Sequence, residues 1–299
     1  MRLVFLGTGG SHPSPKRNVS STALVKDGST ILFDCGEGTQ RQLMRSSVSF
    51  MSVDKIFISH LHGDHFLGLP GLIQSMKLND REHPLEIYGP RGTASMVGTL
   101  MKVGYFRPNF EVVASDLEPG AVLRFDGYTM ESIEVEHNAP TIGYRFQEDQ
   151  RTGRFDKPKA LELGIPEGRL FGKLQRGHEV EVEGRVIKPE DVLGPPRKGR
   201  VIVYSGDTAP CLSIIQASEG ADVLIHEGTF DPSMSDKAVE HDHSSVDMAA
   251  DVARRAEVKR LYIIHISPRY EDVSPLLKAA REIFSESFIP RDLDEYELS

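Results

Sequence analysis

His60, His62, Asp64 and His65 fall within six residues, directly after the apolar run Ile56-Phe57-Ile58. Imidazole and carboxylate are the first-choice protein ligands of borderline and hard divalent cations. Alternate residues of an extended chain point the same way, so His60 and His62 can grip one ion together. Asp64 and His65 then turn away and can serve a second. An exposed polar loop rarely concentrates four such groups behind a strand, so packing or solvation explains them poorly. Two ions about 3.5–4 Å apart generate hydroxide at neutral pH and hold both oxygens of an in-line displacement. The chemistry implied is hydrolysis of an ester, an amide or a phosphodiester.

The elements that must position these groups are short apolar runs. Residues 55–59 lead into His60, 133–136 into His137, 201–206 into Asp207, 222–225 into His226 and 261–264 into His265. In α/β folds, sites form outside the carboxyl ends of strands. A lone histidine after a strand is usually a surface or core residue. Five strands delivering His or Asp to the same kind of position argue instead for one convergent cluster. On this reading His60, His62 and His137 take one ion, and Asp64, His65 and His265 take the other. Asp207 bridges them, since a carboxylate has two oxygens, and a position stays open for a shared water. Such a His/Asp set suits two zinc ions per subunit, and manganese or iron fit it as well. His12, His83, His178 and His241 have no such setting and read as surface or loop residues.

The 299 residues can hold one large domain or two ordinary ones, with 39% hydrophobic and 26% charged residues, as in soluble globular proteins. Cys35 and Cys211 are far apart and form no CxxC, which argues against a disulfide scaffold or a thiolate zinc site. No signal-like or membrane-spanning run is present, so a cytoplasmic location with no membrane partner is expected. The net charge of −9 gives no hint of nucleic-acid binding, and a local basic patch would have to carry it. Gly7-Thr8-Gly9-Gly10 is no P-loop, because no Gly-Lys-Ser/Thr follows. Asp27-Gly28 between apolar runs signals a hairpin. Helices are expected over 40–45, 66–78 and 91–102 and from about 210, 244 and 274; strands fall between them. The tail from 291 to 299 is acidic, and reads as poorly ordered or a late strand. Residues 150–200 break the rhythm. Here Arg151, Arg154, Lys157, Lys159, Arg169, Lys173 and Arg176 outnumber Asp156, Glu162 and Glu167 over the first part. The segment reads as an insertion in a single domain spanning 1–299, too short and too poor in apolar residues to bury its own core.

His60-x-His62-x-Asp64-His65 with His137, Asp207 and His265 resembles the metallo-β-lactamase superfamily and, more narrowly, the ribonuclease Z family of tRNA 3′-processing endonucleases. Further blocks are similar: 5–9 with Arg17 to Ser21, 32–40, Gly143-Tyr144-Arg145, Ser205 to Thr208, His226 to Phe230, His243-Ser244-Ser245, and 265–270. The metal block alone would indicate only the superfamily, which includes small-molecule hydrolases and generic phosphodiesterases, the alternative reading. The resemblance implies a four-layer αβ/βα sandwich with a protruding arm. It implies a zinc-dependent endoribonuclease that removes the 3′ trailer of precursor tRNA by metal-hydroxide attack, leaving a 3′-hydroxyl. It also implies a homodimer. Residues 163–177 are similar to the family's tRNA-gripping arm, with Arg169, Lys173 and Arg176 as RNA contacts, although the family usually has proline at the position of Arg169. Asp64 would be a ligand and proton acceptor. The two jobs compete, since a carboxylate on a dication is a weak base. His243 would protonate the leaving oxygen. As a bland alternative, it precedes a helix capped by Ser244. His226 and Glu227 would orient ligands from behind.

Overall fold

The computed structural model describes residues 1–105 and 107–298, so Ser299 of the acidic tail lies outside the described residues. In chain order the strands are β1 (Arg2–Gly7), β2 (Ser21–Lys26), β3 (Ser29–Phe33), β4 (Val53–Phe57), β5 (Leu85–Gly89), β6 (Val112–Asp116), β7 (Val122–Phe125), β8 (Tyr128–Glu134), β9 (Ile142–Glu148), β10 (Val180–Val182), β11 (Arg185–Ile187), β12 (Val201–Tyr204), β13 (Val223–Glu227), β14 (Leu261–Ile264), β15 (Ser287–Phe288) and β16 (Glu295–Glu297). They form two seven-stranded sheets, β16-β1-β2-β3-β4-β5-β6 and β15-β14-β13-β12-β9-β8-β7, and the β10-β11 hairpin.

Both large sheets are mixed, and their parallel halves carry the chemistry. β3 to β6 run parallel, as do β12 to β15. Each parallel step needs a crossover, supplied by helices Thr39–Arg45, Leu69–Leu78 and Thr93–Leu100 in the first half and Leu212–Ala217, Val246–Arg255 and Ser274–Ile283 in the second. Strands covered on both faces must be apolar throughout, and every residue of β12, β13 and β14 is buried. Between the sheets lies an aromatic seam: Phe33 stacks on Tyr204 with centroids 5.1 Å apart, and Phe5 meets Tyr262 at 5.2 Å. With helices outside and sheets inside, this is the αβ/βα sandwich of the metallo-β-lactamase fold.

The β2-β3 hairpin turns at Asp27 and Gly28, both at positive φ, as the Asp-Gly pair requires. The helix expected over 66–78 is two helices, Gly63–Phe66 and Leu69–Leu78, because Pro70 has no N–H to donate and starts a new first turn. The tail is the late strand: β16 pairs antiparallel with β1.

The chain divides into two compact units, one of Met1–Leu123, Met130–Phe146 and Ile202–Ser299, the other of Arg124–Thr129 and Gln147–Val201. The second unit corrects one expectation. It does bury a core of its own, made by Ala160, Ile165, Leu174, Val180, Ile187 and Val192. These side chains come one or two at a time from helices Lys157–Glu162 and Arg169–Gln175, the hairpin and the loops between. No element is long enough to show a periodic apolar run, so the sequence pattern hides the core. Among the described residues no helix is long and apolar enough to cross a membrane.

Candidate metal centre

Strand ends deliver the ligands as the alternation of chain direction predicts. β4 runs through Ile58 and Ser59 into His60, β12 through Ser205 and Gly206 into Asp207, and β14 directly into His265. His60, His62 and His137 converge as one potential ligand group, and Asp64, His65 and His265 as another. Asp207 Oδ2 stands between them, 3.7 Å from His60 Nε2, 3.4 Å from His65 Nε2 and 3.2 Å from His265 Nε2. The structure therefore brings together all seven residues singled out as ligands.

Hydrogen bonds on the far side of each ring decide which nitrogen is bare. His65 Nδ1 donates to Asp34 Oδ2 at 2.7 Å, which leaves Nε2 buried without a partner. The Thr229 hydroxyl donates to Glu227 Oε2 at 2.6 Å, so its oxygen accepts from His265 Nδ1 at 2.8 Å. The Ser59 hydroxyl donates to Asp34 at 2.8 Å and so accepts from His60 Nδ1 at 3.0 Å. His137 Nδ1 donates to the Asp242 carbonyl at 2.9 Å. With its outer proton in place, each of these four rings has, when neutral, its lone pair on the inward nitrogen. Those nitrogens face one another or carboxylate oxygens: His62 Nδ1 can donate to His60 Nε2 at 2.9 Å, and His265 Nε2 is 3.3 Å from Asp64 Oδ2. Each such pair needs a proton or a cation between its atoms. Outer partners that fix the tautomer of a ligand histidine are the usual support of a metal site. The donor set fits two cations.

The carboxylates compete with a cation for those nitrogens by drawing protons onto the rings. Burial opposes charge on His65, yet Asp207 and Asp34 outweigh it and hold its pKa well above the usual value. Burial pushes Asp207 up, but His265 and His65 hold it well below the usual carboxylate range. Burial likewise raises Asp64, and the hydrogen bond from His265 with the charge of His65 pulls it down. A carboxylate held so firmly in its ionised form is a poor proton acceptor. Asp64 serves better as a ligand than as a base. His60 and His62 are shifted down by burial, then by neighbouring histidines, so they stay neutral ligands.

Behind the ligands, Glu227 accepts from Thr208 N–H at 2.9 Å, from Thr229 and from His243 Nδ1 at 2.6 Å, and so reaches the His265 ring through Thr229. His243 has its pKa lowered by burial and raised by Glu227, with a net rise to about 9. Its ring lies 5.0 Å from that of His137. The helix cap beside it is Ser245, not Ser244, whose hydroxyl instead donates to the Thr208 carbonyl at 2.7 Å. His226 departs from expectation. Its Nδ1 faces the Glu227 carbonyl at 2.7 Å and its Nε2 is buried with no partner, so it orients no ligand. Neighbouring residues on a strand point to opposite faces, and Glu227 takes the face toward the metals.

Sequence reading missed Asp34. This buried carboxylate accepts from Ser59 N–H (2.6 Å), Ser59 Oγ (2.8 Å), His65 (2.7 Å) and Tyr204 Oη (2.6 Å). It sits at φ +60°, and a side chain on the adjoining Gly36 would lie 2.2 Å from the Asp64 carbonyl, so only glycine lets the metal loop close on this turn. The signal was present, since Asp34 directly follows β3 as the ligands follow their strands. In the second unit, Arg169, Lys173 and Arg176 are exposed along one side of helix Arg169–Gln175 and its cap, while Leu174 turns to the small core.

Comparison with known proteins follows the same outline. A family model described as a beta-lactamase superfamily domain matches residues 181–266, and one described as anti-Pycsar protein Apyc1 matches residues 1–144. A ribonuclease Z of Methanosarcina acetivorans is 47% identical over 299 residues, covering 100% of this chain and 98% of its own length. One of Thermococcus kodakarensis is 47% identical over 297 residues, covering 98% and 94%. The crystal structure of the short form of human tRNase Z aligns over 100% of both chains with a TM-score of 0.75 and 29% identity. The Bacillus subtilis metallo-β-lactamase fold protein YhfI, 19% identical, shares the fold with a TM-score of 0.70 over 99% of this chain and 98% of its own.

Proposed function

The chain belongs to the ribonuclease Z family of the metallo-β-lactamase superfamily, and from that premise we infer that it is a zinc-dependent endoribonuclease that cuts the 3′ trailer from precursor tRNA and leaves a 3′-hydroxyl. The observation that carries the reading is the set of bare imidazole nitrogens facing Asp64 and Asp207, each locked by an outer hydrogen bond. His60, His62, His137 and Asp207 would hold one zinc, and Asp64, His65, His265 and Asp207 the other. When bound, the pair supplies Lewis acidity that makes water a competent nucleophile and neutralises phosphate charge.

The chain's own groups do the rest. Asp34, Thr229 and the Asp242 carbonyl keep the ligand rings oriented. His243, held as imidazolium by Glu227, donates the proton that the departing 3′-oxygen needs. The exposed side of the second unit, with Arg169, Lys173 and Arg176, grips RNA phosphates rather than reading bases. The working form is a homodimer in the cytoplasm, where precursor tRNA is the substrate.

The test is metal analysis combined with mapping of the cut on a precursor tRNA carrying a 3′ trailer. Two zinc ions per chain and a single cut after the discriminator nucleotide are expected. No cut, or a ladder of cuts, would overturn the assignment. Alanine at Arg169, Lys173 and Arg176 together should flatten the dependence of log affinity on log salt by about 2–3, while a small phosphodiester is hydrolysed as before. An unchanged slope would remove the second unit from RNA binding.

A further inference from the structure

We infer that Asp292, in the segment before β16, is a positioning residue of the metal centre: it clamps both ends of the loop 8–18, whose backbone lies against Asp64 and His265. The inference rests on the two-cation reading above.

Each oxygen of Asp292 serves a different end of the loop. Oδ1 accepts from Thr8 N–H at 3.1 Å and from the Thr8 hydroxyl at 2.7 Å. Oδ2 accepts from Asn18 N–H at 2.6 Å and from the Gln42 side-chain amide at 3.0 Å. Arg17 completes the knot, donating to Thr8 Oγ1 at 2.6 Å and to the Pro290 carbonyl at 2.7 Å. The corner that aims the carboxylate is itself special. Leu293 adopts φ +72°, which lets its N–H reach the Phe5 carbonyl at 2.6 Å. A non-glycine residue pays for that conformation only where the surroundings require it.

Between its clamped ends the loop reaches the ligands. Ser11, also at positive φ, donates its N–H to Asp64 Oδ2 at 2.7 Å. Gly10 lies so close to the His265 ring that an added Cβ would stand 2.4 Å from Cε1. Freeing either end would withdraw a hydrogen bond from one ligand and a wall from another. A carboxylate can accept at both oxygens. Asparagine at 292 would turn an amide against the N–H donors of one end, so donor would face donor.

The experiment measures zinc affinity by competition with a chromophoric chelator, alongside kcat and KM on precursor tRNA. Asp292→Asn should weaken one of the two zinc ions by about 10–100-fold, the scale for loss of an outer partner. It should lower kcat about tenfold while KM stays within about twofold, since the substrate contacts are untouched. Glu295→Gln serves as the control: it lies nearby, its side chain bonds Arg2 and Ser47 among the described residues, and it should bind both ions like the parent chain. If Asp292→Asn does not fold, Thr8→Val should cost about threefold in the affinity of the same ion. Thr8→Ser should restore it. Two zinc ions held with parental affinity by Asp292→Asn, or by Thr8→Val in its place, would overturn the inference. A parent chain that binds fewer than two would instead overturn the reading on which it rests.

Discussion

The two ligand groups of the metal centre are built to different standards. His65 and His265 are buried, and Asp64 is half-buried; each has a fixed outer partner in Asp34, Thr229 or the Ser11 amide. In the other group only His60 is buried, His62 is exposed and His137 is half-buried, with a backbone carbonyl as its prop. Beyond the shared Asp207, the enclosed group adds a second carboxylate, Asp64, while the open group adds only rings. The enclosed side would therefore hold a cation more tightly. His243 lies against both groups, its ring 5.0 Å from that of His137 and 5.5 Å from that of His265, and the exposure of His62 would leave the open side to substrate and water. An enzyme that must admit a bulky polymer gains from placing its firm support on one side only.

The largest expected effect removes the difference altogether. Asp207→Ala takes away the one oxygen that faces both groups. Activity should fall roughly 10³-fold or more, and zinc content should drop on both sides. Near-normal turnover would show that the groups do not depend on a shared carboxylate. His243→Ala tests whether the ring set against both groups is the acid, with an expected loss of about 10²-fold in kcat. The pKa of His243 is raised to about 9, so the ring is charged at neutral pH and activity should decline at alkaline pH as that charge is lost. Bound cations repel the imidazolium, so the alkaline limb should lie below about 9, and the variant should lose it. A limb that survives in His243→Ala would assign it to another group.

Asp34→Asn sharpens the contrast from the other side. The affinity of the enclosed ion should fall about 10–100-fold and that of the open one by less, since Asp34 touches His65 directly but reaches His60 only through Ser59. Equal weakening of both would mean the two groups are coupled rather than separately supported. The smallest effect is expected at His226. Its Nε2 is buried and unsatisfied, so His226→Phe should change stability by no more than about 1 kcal/mol and leave cleavage as it is. A large loss of activity would give His226 a role that its contacts do not show.

The ligands were legible in the sequence because a site at strand ends leaves a local signature, an apolar run followed by His or Asp. The parallel strands were legible for the same reason, being continuous apolar runs. What supports the ligands was harder to read. Asp34 follows its strand like the others, but its task is set by Ser59, His65 and Tyr204, far apart in sequence. The Asp242 carbonyl and the Ser11 amide are backbone groups, and no residue type announces them. His226 and Glu227 read alike in the sequence, yet a strand turns successive side chains to opposite faces, and Glu227 alone of the two bonds Thr229 and His243 among the described residues. The small core of the second unit escaped because its apolar residues are spread over elements too short for any period to show.

Pairing of β16 with β1 has a consequence for the life of the chain on the ribosome. Translation at about 5–20 residues per second brings out His60 roughly 10–40 s before His265. The strand that closes the first sheet edge emerges later still. Through that interval a nascent chain presents a cation-binding triplet at His60, His62 and, later, His137, with neither His265 nor the clamp at Asp292 in place. Metal taken up at that stage would meet an enclosed group that still lacks His265, so that side would be loaded late.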